Sequence, residues 1–296
     1  MQLNINSLIN KHLNEPCLLL GPSPSMSNFN FNEFNGQIIT FGDTILRGEK
    51  FFKANYWIAS NNEFPVPNYD PHLKIINYFL DTTFIFSDTA LYNNLWTYDE
   101  NFLIDNLKVN WVKFDERHFK GQHCVPKNKC CELLKENPNR KTIQEIVSQF
   151  FNSKIVVSEG YTVAVYALCF ALIMGCNPIY IQGVDLPFYK NEYTYFTNKD
   201  VDKMKFETKK FIRRQLYLKN SKKNLLSRLI KKIYKILNFG FKKESVFNDD
   251  FEFIINSFDE YFRVARKKNV KIFYLNSESN LSKCKNIDFL DYKNIF

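Results

Sequence analysis

Glycine is scarce in this chain, 9 in 296 residues, and neither a GxxxxGK[ST] loop nor a GxGxxG run occurs anywhere. Those motifs need glycines to bring backbone close to phosphate, so the P-loop and the dinucleotide fingerprint are both excluded. Long apolar runs are lacking too. Gly160 to Val184 carries no charge, but Gly175, Asn177, Pro178 and Gln182 interrupt it. About 15 apolar-rich residues remain, against the roughly 20 that span a bilayer. The stretch reads as a buried helix followed by a buried strand. The opening MQLNINSLINKHLNEP lacks the basic-then-apolar order of a signal peptide, and none is expected.

Paired cysteine spacing is also missing. The seven cysteines (Cys17, Cys124, Cys130, Cys131, Cys169, Cys176 and Cys284) are irregularly placed, and reduced thiols of a cytoplasmic protein are the expectation. His118, His123, Cys124, Cys130 and Cys131 crowd into HFKGQHCVPKNKCC without the CxxC pairs of a zinc site, so they read as incidental. No DxD site for a catalytic metal stands out. Asp288 to Asp291 (DFLD) reads as a loop near the C-terminus.

What is present suits a globular protein. Hydrophobic residues make up 45% and charged residues 24%, which argues against wholesale disorder. The length suits one large domain, or a domain with an insertion.

Charge locates the insertion. The net charge of +9 comes from 40 basic and 31 acidic residues, yet Thr208 to Lys243 holds 13 Lys or Arg and no Asp or Glu. Without that segment the remainder is acidic, with 27 basic and 31 acidic residues. Leu225, Leu226, Leu229, Ile230, Ile233 and Leu237 recur at helical spacing among Lys222, Lys223, Arg228, Lys231, Lys232 and Lys235. This basic amphipathic pattern suits an anionic membrane surface, where each Lys or Arg contributes about 1 kcal/mol. A helix packed on its own domain with a solvated basic face is the plainer alternative. Nucleic acid is not expected, because the remainder is acidic and no nucleic-acid module is recognisable. Deleting residues 221–240 without loss of liposome binding would contradict the membrane reading. The expected organisation is a Rossmann-like domain over 1–200 and 246–296, with the basic helical insertion at 201–245.

Along the body, apolar runs alternate with amphipathic stretches. Strands are expected at Pro16–Leu20, Gln37–Phe41, Tyr56–Ala59, Phe84–Phe86, Val109–Phe114, Pro178–Val184 and Val270–Leu275. Helices are expected at Lys141–Phe151, Tyr161–Met174 and Phe251–Lys268. Ala164, Ala167 and Ala171 fall on one side of the second helix, which lets it approach a sheet closely. The alternation predicts an α/β fold with a mainly parallel, Rossmann-like sheet. In such sheets ligands bind beyond the carboxyl ends of the strands. Four polar clusters fall there: Gly21–Ser25, Gly42–Thr44, Ser60–Asn62 and Gly183–Asp185.

Their chemistry suits a nucleotide. Gly21, Ser23 and Ser25 lie in a turn that suits presentation of N–H groups to phosphate. Asp43 and Asn61 suit sugar hydroxyls or a nucleobase edge. Ser158–Thr162 precedes a helix whose N-terminus is a second anion site, with Thr162 as its cap.

GPSPSM after the first of these strands, the helix GYTVAVYALCFALIMG and the run IYIQGVDLPFYKNEYTYF together resemble bacterial sialyltransferases of glycosyltransferase family 42. They also resemble the related motility-accessory-factor glycosyltransferases and archaeal pterin pyrophosphokinases. The resemblance covers roughly 16–62 and 155–196. It implies a variant of the GT-A glycosyltransferase fold that binds a CMP-activated nonulosonic acid without a metal cofactor. Carried over, donor-binding falls to Gly21, Ser23, Ser25, Asp43, Asn61, Thr162 and Gly183. Tyr189 and Tyr195 match two tyrosines, six residues apart, whose hydroxyls bind the departing phosphate, although Leu186-Pro187 lengthens the approach. CMP leaves as a phosphate monoester, which hydroxyl donors and a helix N-terminus can stabilise.

The chain departs from that family at the general base. The family uses a His after the tyrosines, and this chain has none after His123. Glu159 and Asp185 are the nearest carboxylates for the role. Three readings follow. The favoured one is a CMP-sugar-dependent transferase with a glycan or glycolipid acceptor, peripheral on the inner face of the cell membrane through 208–243. The second is a pyrophosphokinase using ATP and magnesium, with Asp43 and Asp185 as its metal carboxylates. The third is a non-catalytic membrane-associated binding protein. Donor sugar, acceptor and homo-oligomerisation are left open by the residues.

Overall fold

Runs such as Cys-Leu-Leu-Leu and Tyr-Trp-Ile-Ala carry no polar alternation, the pattern of strands covered on both faces. The computed structural model describes residues 1–48, 52–59, 70–87, 107–114, 140–153, 162–185 and 244–291, with 203, 206, 207, 210, 293 and 295. In chain order the elements are β1 (Gln2–Leu3), β2 (Cys17–Leu20), β3 (Gln37–Phe41), α1 (Thr44–Gly48), β4 (Tyr56–Ala59), α2 (Asp70–Tyr78) and β5 (Thr83–Ser87). There follow β6 (Trp111–Phe114), α3 (Arg140–Ser153), α4 (Val163–Ile173), β7 (Ile179–Gln182), α5 (Glu244–Lys267), β8 (Ile272–Tyr274) and β9 (Asp288–Phe289). The chain divides into two compact units, Met1–Thr197 with Phe253–Phe296, and Asn198–Glu252. In the second unit, Lys203, Phe206, Glu207 and Lys210 are helical and exposed. The other residues of the basic segment 208–243 lie outside the described residues.

Among the described residues nine strands form one sheet in the order β1-β6-β5-β4-β3-β2-β7-β8-β9. Every pairing is parallel. This is the α/β fold that the alternation predicts. The order also carries the functional geometry. From β2 the chain winds outward through β3, β4, β5 and β6, then returns to the other side of β2 as β7 and continues to β8 and β9. Strand order therefore reverses between β2 and β7. Such a reversal is where open α/β sheets bind ligands, outside the carboxyl ends of the strands.

The central helix explains how β7 reaches that place. Ala164 through Ile173 are all buried, so α4 is apolar all round, as a helix covered on every side must be. It packs on β2, β3 and β4. Phe114 of β6 meets it, with ring centroids 4.9 Å from Phe170 and 5.8 Å from Tyr166. Gly175 ends it with φ of 77°, a left-handed position that glycine adopts without a Cβ penalty. The N–H groups of Asn10, His12 and Asn14 donate to the carbonyls of Ile173, Met174 and Gly175, each at 2.9 Å. These bonds satisfy carbonyls that a helix end otherwise leaves unpaired. The His12 ring fixes the segment, with Nδ1 2.9 Å from Glu15 Oε2 and Nε2 2.7 Å from the Tyr56 hydroxyl. Because α4 ends beside the start of β2, its N-terminus lies toward the carboxyl edge of the sheet.

Some expectations needed correction. Asp288–Phe289, read as loop, forms β9 and pairs with β8, Phe273 opposite Asp288. Two residues carry no periodicity, so β1 and β9 leave no sequence pattern. The helix expected at Phe251–Lys268 begins earlier, at Glu244. Four cysteines, Cys17, Cys169, Cys176 and Cys284, are free and buried. Burial pushes the Cys17 thiol up, and pushes Cys284 to about 12, so both are unreactive packing groups. Cys124, Cys130 and Cys131, with His118 and His123, lie outside the described residues.

Candidate functional site

Two glycines bring the loops after β2 and β7 into contact at the carboxyl edge. Gly21 follows β2 and Gly183 follows β7, and the adjacent backbones are joined by Gly21 N–H to Gln182 O at 2.9 Å and Ser23 N–H to Gly183 O at 3.0 Å. A Cβ on Gly21 would stand 2.3 Å from the Gly183 carbonyl oxygen, and one on Gly183 would stand 2.2 Å from that of Gly21. Gly183 also has φ of 69°. No side chain fits at either position, so both loops require glycine here.

Asp185 ties the loops together. Its Oδ1 accepts from the Ser25 hydroxyl at 2.6 Å and from Asn276 Nδ2 at 2.8 Å. The Tyr274 hydroxyl donates to the same oxygen at 3.3 Å, and the Ser25 N–H donates to Oδ2 at 3.2 Å. The Asp185 N–H in turn donates to Ser23 Oγ at 3.2 Å. Gln182, only 1% exposed, donates through Nε2 to the Ser25 carbonyl. Burial, then the charge of Asp185, pushes the Tyr274 phenol well above its ordinary range, so it stays a neutral donor. A carboxylate serving four donors is a structural anchor. It holds the loops after β2, β7 and β8 in one arrangement.

This arrangement changes the expected role of the first loop. Pro22 and Pro24 have no N–H. Gly21, Ser23, Ser25 and Met26 direct theirs to Gln182 O, Gly183 O, Asp185 Oδ2 and Ser23 O. Residues 21–26 therefore offer no cluster of N–H groups to a phosphate. The Ser23 and Ser25 hydroxyls are likewise buried and engaged with Asp185. The loop supplies a rigid wall of fixed shape.

Asp43 sits at the same edge, after β3. Arg47 Nε donates to its Oδ2 at 2.8 Å, with the Arg47 side chain 2% exposed and that of Asp43 12%. Between them and β3, Gly42 has φ of 59°, and its carbonyl accepts from Trp57 Nε1 at 2.7 Å. Thr162 caps α4, its hydroxyl accepting from Ala164 N–H at 3.2 Å. An N-terminus capped in this way carries the positive end of the helix dipole toward the carboxyl edge.

The structure thus brings Gly21, Ser23, Ser25, Gly183 and Asp185 into one network, with Asp43 at the end of the strand next to β2. Asn61, Glu159, Tyr189 and Tyr195 lie outside the described residues. Sequence reasoning missed Gln182, Tyr274, Asn276 and Ser279. The Ser279 hydroxyl lies 3.3 Å from both the Val184 and Asp185 carbonyl oxygens, and accepts from Leu281 N–H at 3.0 Å. Among the described residues, no group of three or more His, Cys, Asp and Glu is placed to hold a metal ion. Among them, no helix is long and apolar enough to cross a membrane.

No family model matches the chain, and no curated relative matches it. Similar solved structures are sialyltransferases from Campylobacter jejuni. CstII in complex with the substrate analogue CMP-3FNeuAc is 15% identical, with a TM-score of 0.44, covering 95% of this chain and 88% of that one. Monofunctional α-2,3-sialyltransferase Cst-I is 14% identical, with a TM-score of 0.40, covering 93% of this chain and 80% of that one.

Proposed function

We propose that the carboxyl edge at β2 and β7 binds the CMP portion of an activated nonulosonic acid, and that the protein transfers this sugar to a glycan or glycolipid hydroxyl. One observation carries the reading. The segments that resemble family 42, GPSPSM and the Gly183–Asp185 turn, are wired together by Asp185 at the point where strand order reverses, the place where open α/β sheets bind ligands. The nucleoside is proposed to lie along the carboxyl edge beside Asp43, at the end of β3. With the N–H groups of 21–26 already used, the phosphate falls to the N-terminus of α4 at Thr162 and to Tyr189 and Tyr195. These groups stabilise the charge that develops on CMP as the glycosidic bond breaks. Asp185, saturated with donors, positions the loops of that edge, which leaves Glu159 as the carboxylate proposed to take the acceptor proton.

Thermal unfolding with CMP, CDP, UDP and ATP, each with magnesium or a chelator, tests this. CMP at about 100 times its dissociation constant should stabilise the protein by roughly 2.7 kcal/mol, with or without chelator. A shift with ATP and magnesium alone would replace the reading with a pyrophosphokinase. No shift with any nucleotide would leave a binding protein without this chemistry.

A further inference from the structure

The amino edge of the sheet, opposite the edge described above, combines charge of one sign with exposed apolar side chains. Lys53 precedes β4, Lys108 precedes β6, and Lys267, Lys268 and Lys271 precede β8, all of them exposed. Lys11 is exposed too, in the segment that caps the end of α4 through the N–H groups of Asn10, His12 and Asn14. Backbone bonds join these segments. Asn177 N–H donates to Glu15 O at 2.9 Å, Asn177 Nδ2 to Asn269 O at 3.3 Å, and Lys271 N–H to Asn177 Oδ1 at 2.9 Å. From β6 to β8 the edge crosses six strand intervals, an extent of roughly 30 Å at about 4.8 Å each.

Acidic groups along this edge are fewer and mostly engaged. Glu15 meets His12 Nδ1 at 2.9 Å and Gln37 Nε2 at 3.0 Å, and Asp288 pairs with Arg266 at 2.7 Å. Asp81, exposed before β5, is the third among the described residues. Between the lysines stand Ile9, Leu13, Tyr78 and Leu80, which are 42%, 61%, 72% and 59% exposed. Ile9 and Leu13 flank Lys11 in sequence, while Tyr78 and Leu80 lead from α2 into β5. Aliphatic and tyrosine side chains interleaved with lysine make a surface suited to lipid headgroups. A second copy of this chain suits it less, because a two-fold contact through the edge brings like charges together. A nucleic acid would answer the lysines and leave the aliphatic side chains in water.

We propose that this amino edge lies on an anionic bilayer surface, with its lysines at the headgroups and Leu13 and Leu80 at the boundary with the acyl chains. The contact is separate from the basic segment 208–243. It also goes beyond the nucleotide reading, which concerns the opposite edge.

Co-sedimentation of the full-length protein with vesicles tests this, using an equal mixture of phosphatidylcholine and phosphatidylserine beside phosphatidylcholine alone. Stronger binding to the mixed vesicles is expected, since each lysine near an anionic surface contributes up to about fivefold. Lys53→Gln, Lys267→Gln and Lys271→Gln, combined in one variant, should lower that partitioning about tenfold or more. Leu13→Ser alone should lower it several-fold. Amide hydrogen exchange of the wild type on the mixed vesicles needs no variant, and slower exchange is expected at 9–15 and 267–271. No binding to the mixed vesicles, or equal binding to phosphatidylcholine alone, would overturn the inference. Undiminished binding of the triple variant, or protection confined to other segments, would also overturn it and assign attachment elsewhere on the chain. Undiminished binding of Leu13→Ser would overturn it in favour of a purely polyanionic partner.

Discussion

Gly183→Ala is expected to lower the free energy of unfolding by about 3–5 kcal/mol, through a backbone clash added to a strained conformation. The Cβ would lie 2.2 Å from the Gly21 carbonyl oxygen, at φ of 69°. Neither backbone can yield easily, because Gly21 N–H and Ser23 N–H already join these loops. Gly42→Ala is the internal control. Its φ of 59° carries a similar conformational penalty, but a Cβ there meets nothing within 4 Å, so it should cost only about 1–2 kcal/mol. Urea midpoints for the two variants separate strain from clash. Equal losses would mean that the loops after β2 and β7 do not meet as closely as the fold requires.

Removing the anchor should be nearly as damaging. Asp185→Ala leaves Ser25 N–H, Ser25 Oγ, Tyr274 OH and Asn276 Nδ2 without their shared acceptor. Each unsatisfied buried donor costs roughly 1–3 kcal/mol, less where water enters, so a loss of about 3–5 kcal/mol is expected. Asp185→Asn keeps one acceptor oxygen but turns an amide donor toward other donors, and about 2 kcal/mol is expected. Tyr274→Phe, which removes only a 3.3 Å bond, should cost least. The same series separates anchoring from proton transfer. If Asp185 positions the loops, turnover in Asp185→Asn falls in parallel with CMP affinity. Loss of a general base would instead remove about 10²–10⁴ in rate with CMP affinity intact, and that result would make Asp185 the base.

How far the sequence revealed this arrangement depends on how local each cause is. Gln37–Phe41 and Tyr56–Ala59 were legible to the residue, because short apolar runs stop at polar punctuation. The α4 helix was legible because its small residues recur on one side, and Thr162 was legible as its cap, although the helix starts at Val163 and not at Tyr161. The second half of the site was not. Asn276 meets Asp185 from 91 positions away, and nothing in Asn-Ser-Glu-Ser marks that pairing. Gln182 was visible only as a polar interruption of an apolar run. Its burial beside Ser25 shows why an amide stands there. Two signals were local and readable. Pro22 and Pro24 already limited the N–H groups that the first loop could offer. Arg47, four residues after Asp43, already had the spacing of a helical ion pair.

The most direct test of the central claim is amide hydrogen exchange of the wild-type protein with and without CMP. Slowed exchange is predicted in peptides covering 21–26, 42–47 and 183–185, the loops that border the strand-order reversal. CMP binding with protection confined to other segments would contradict the placement of the nucleotide between β2 and β7.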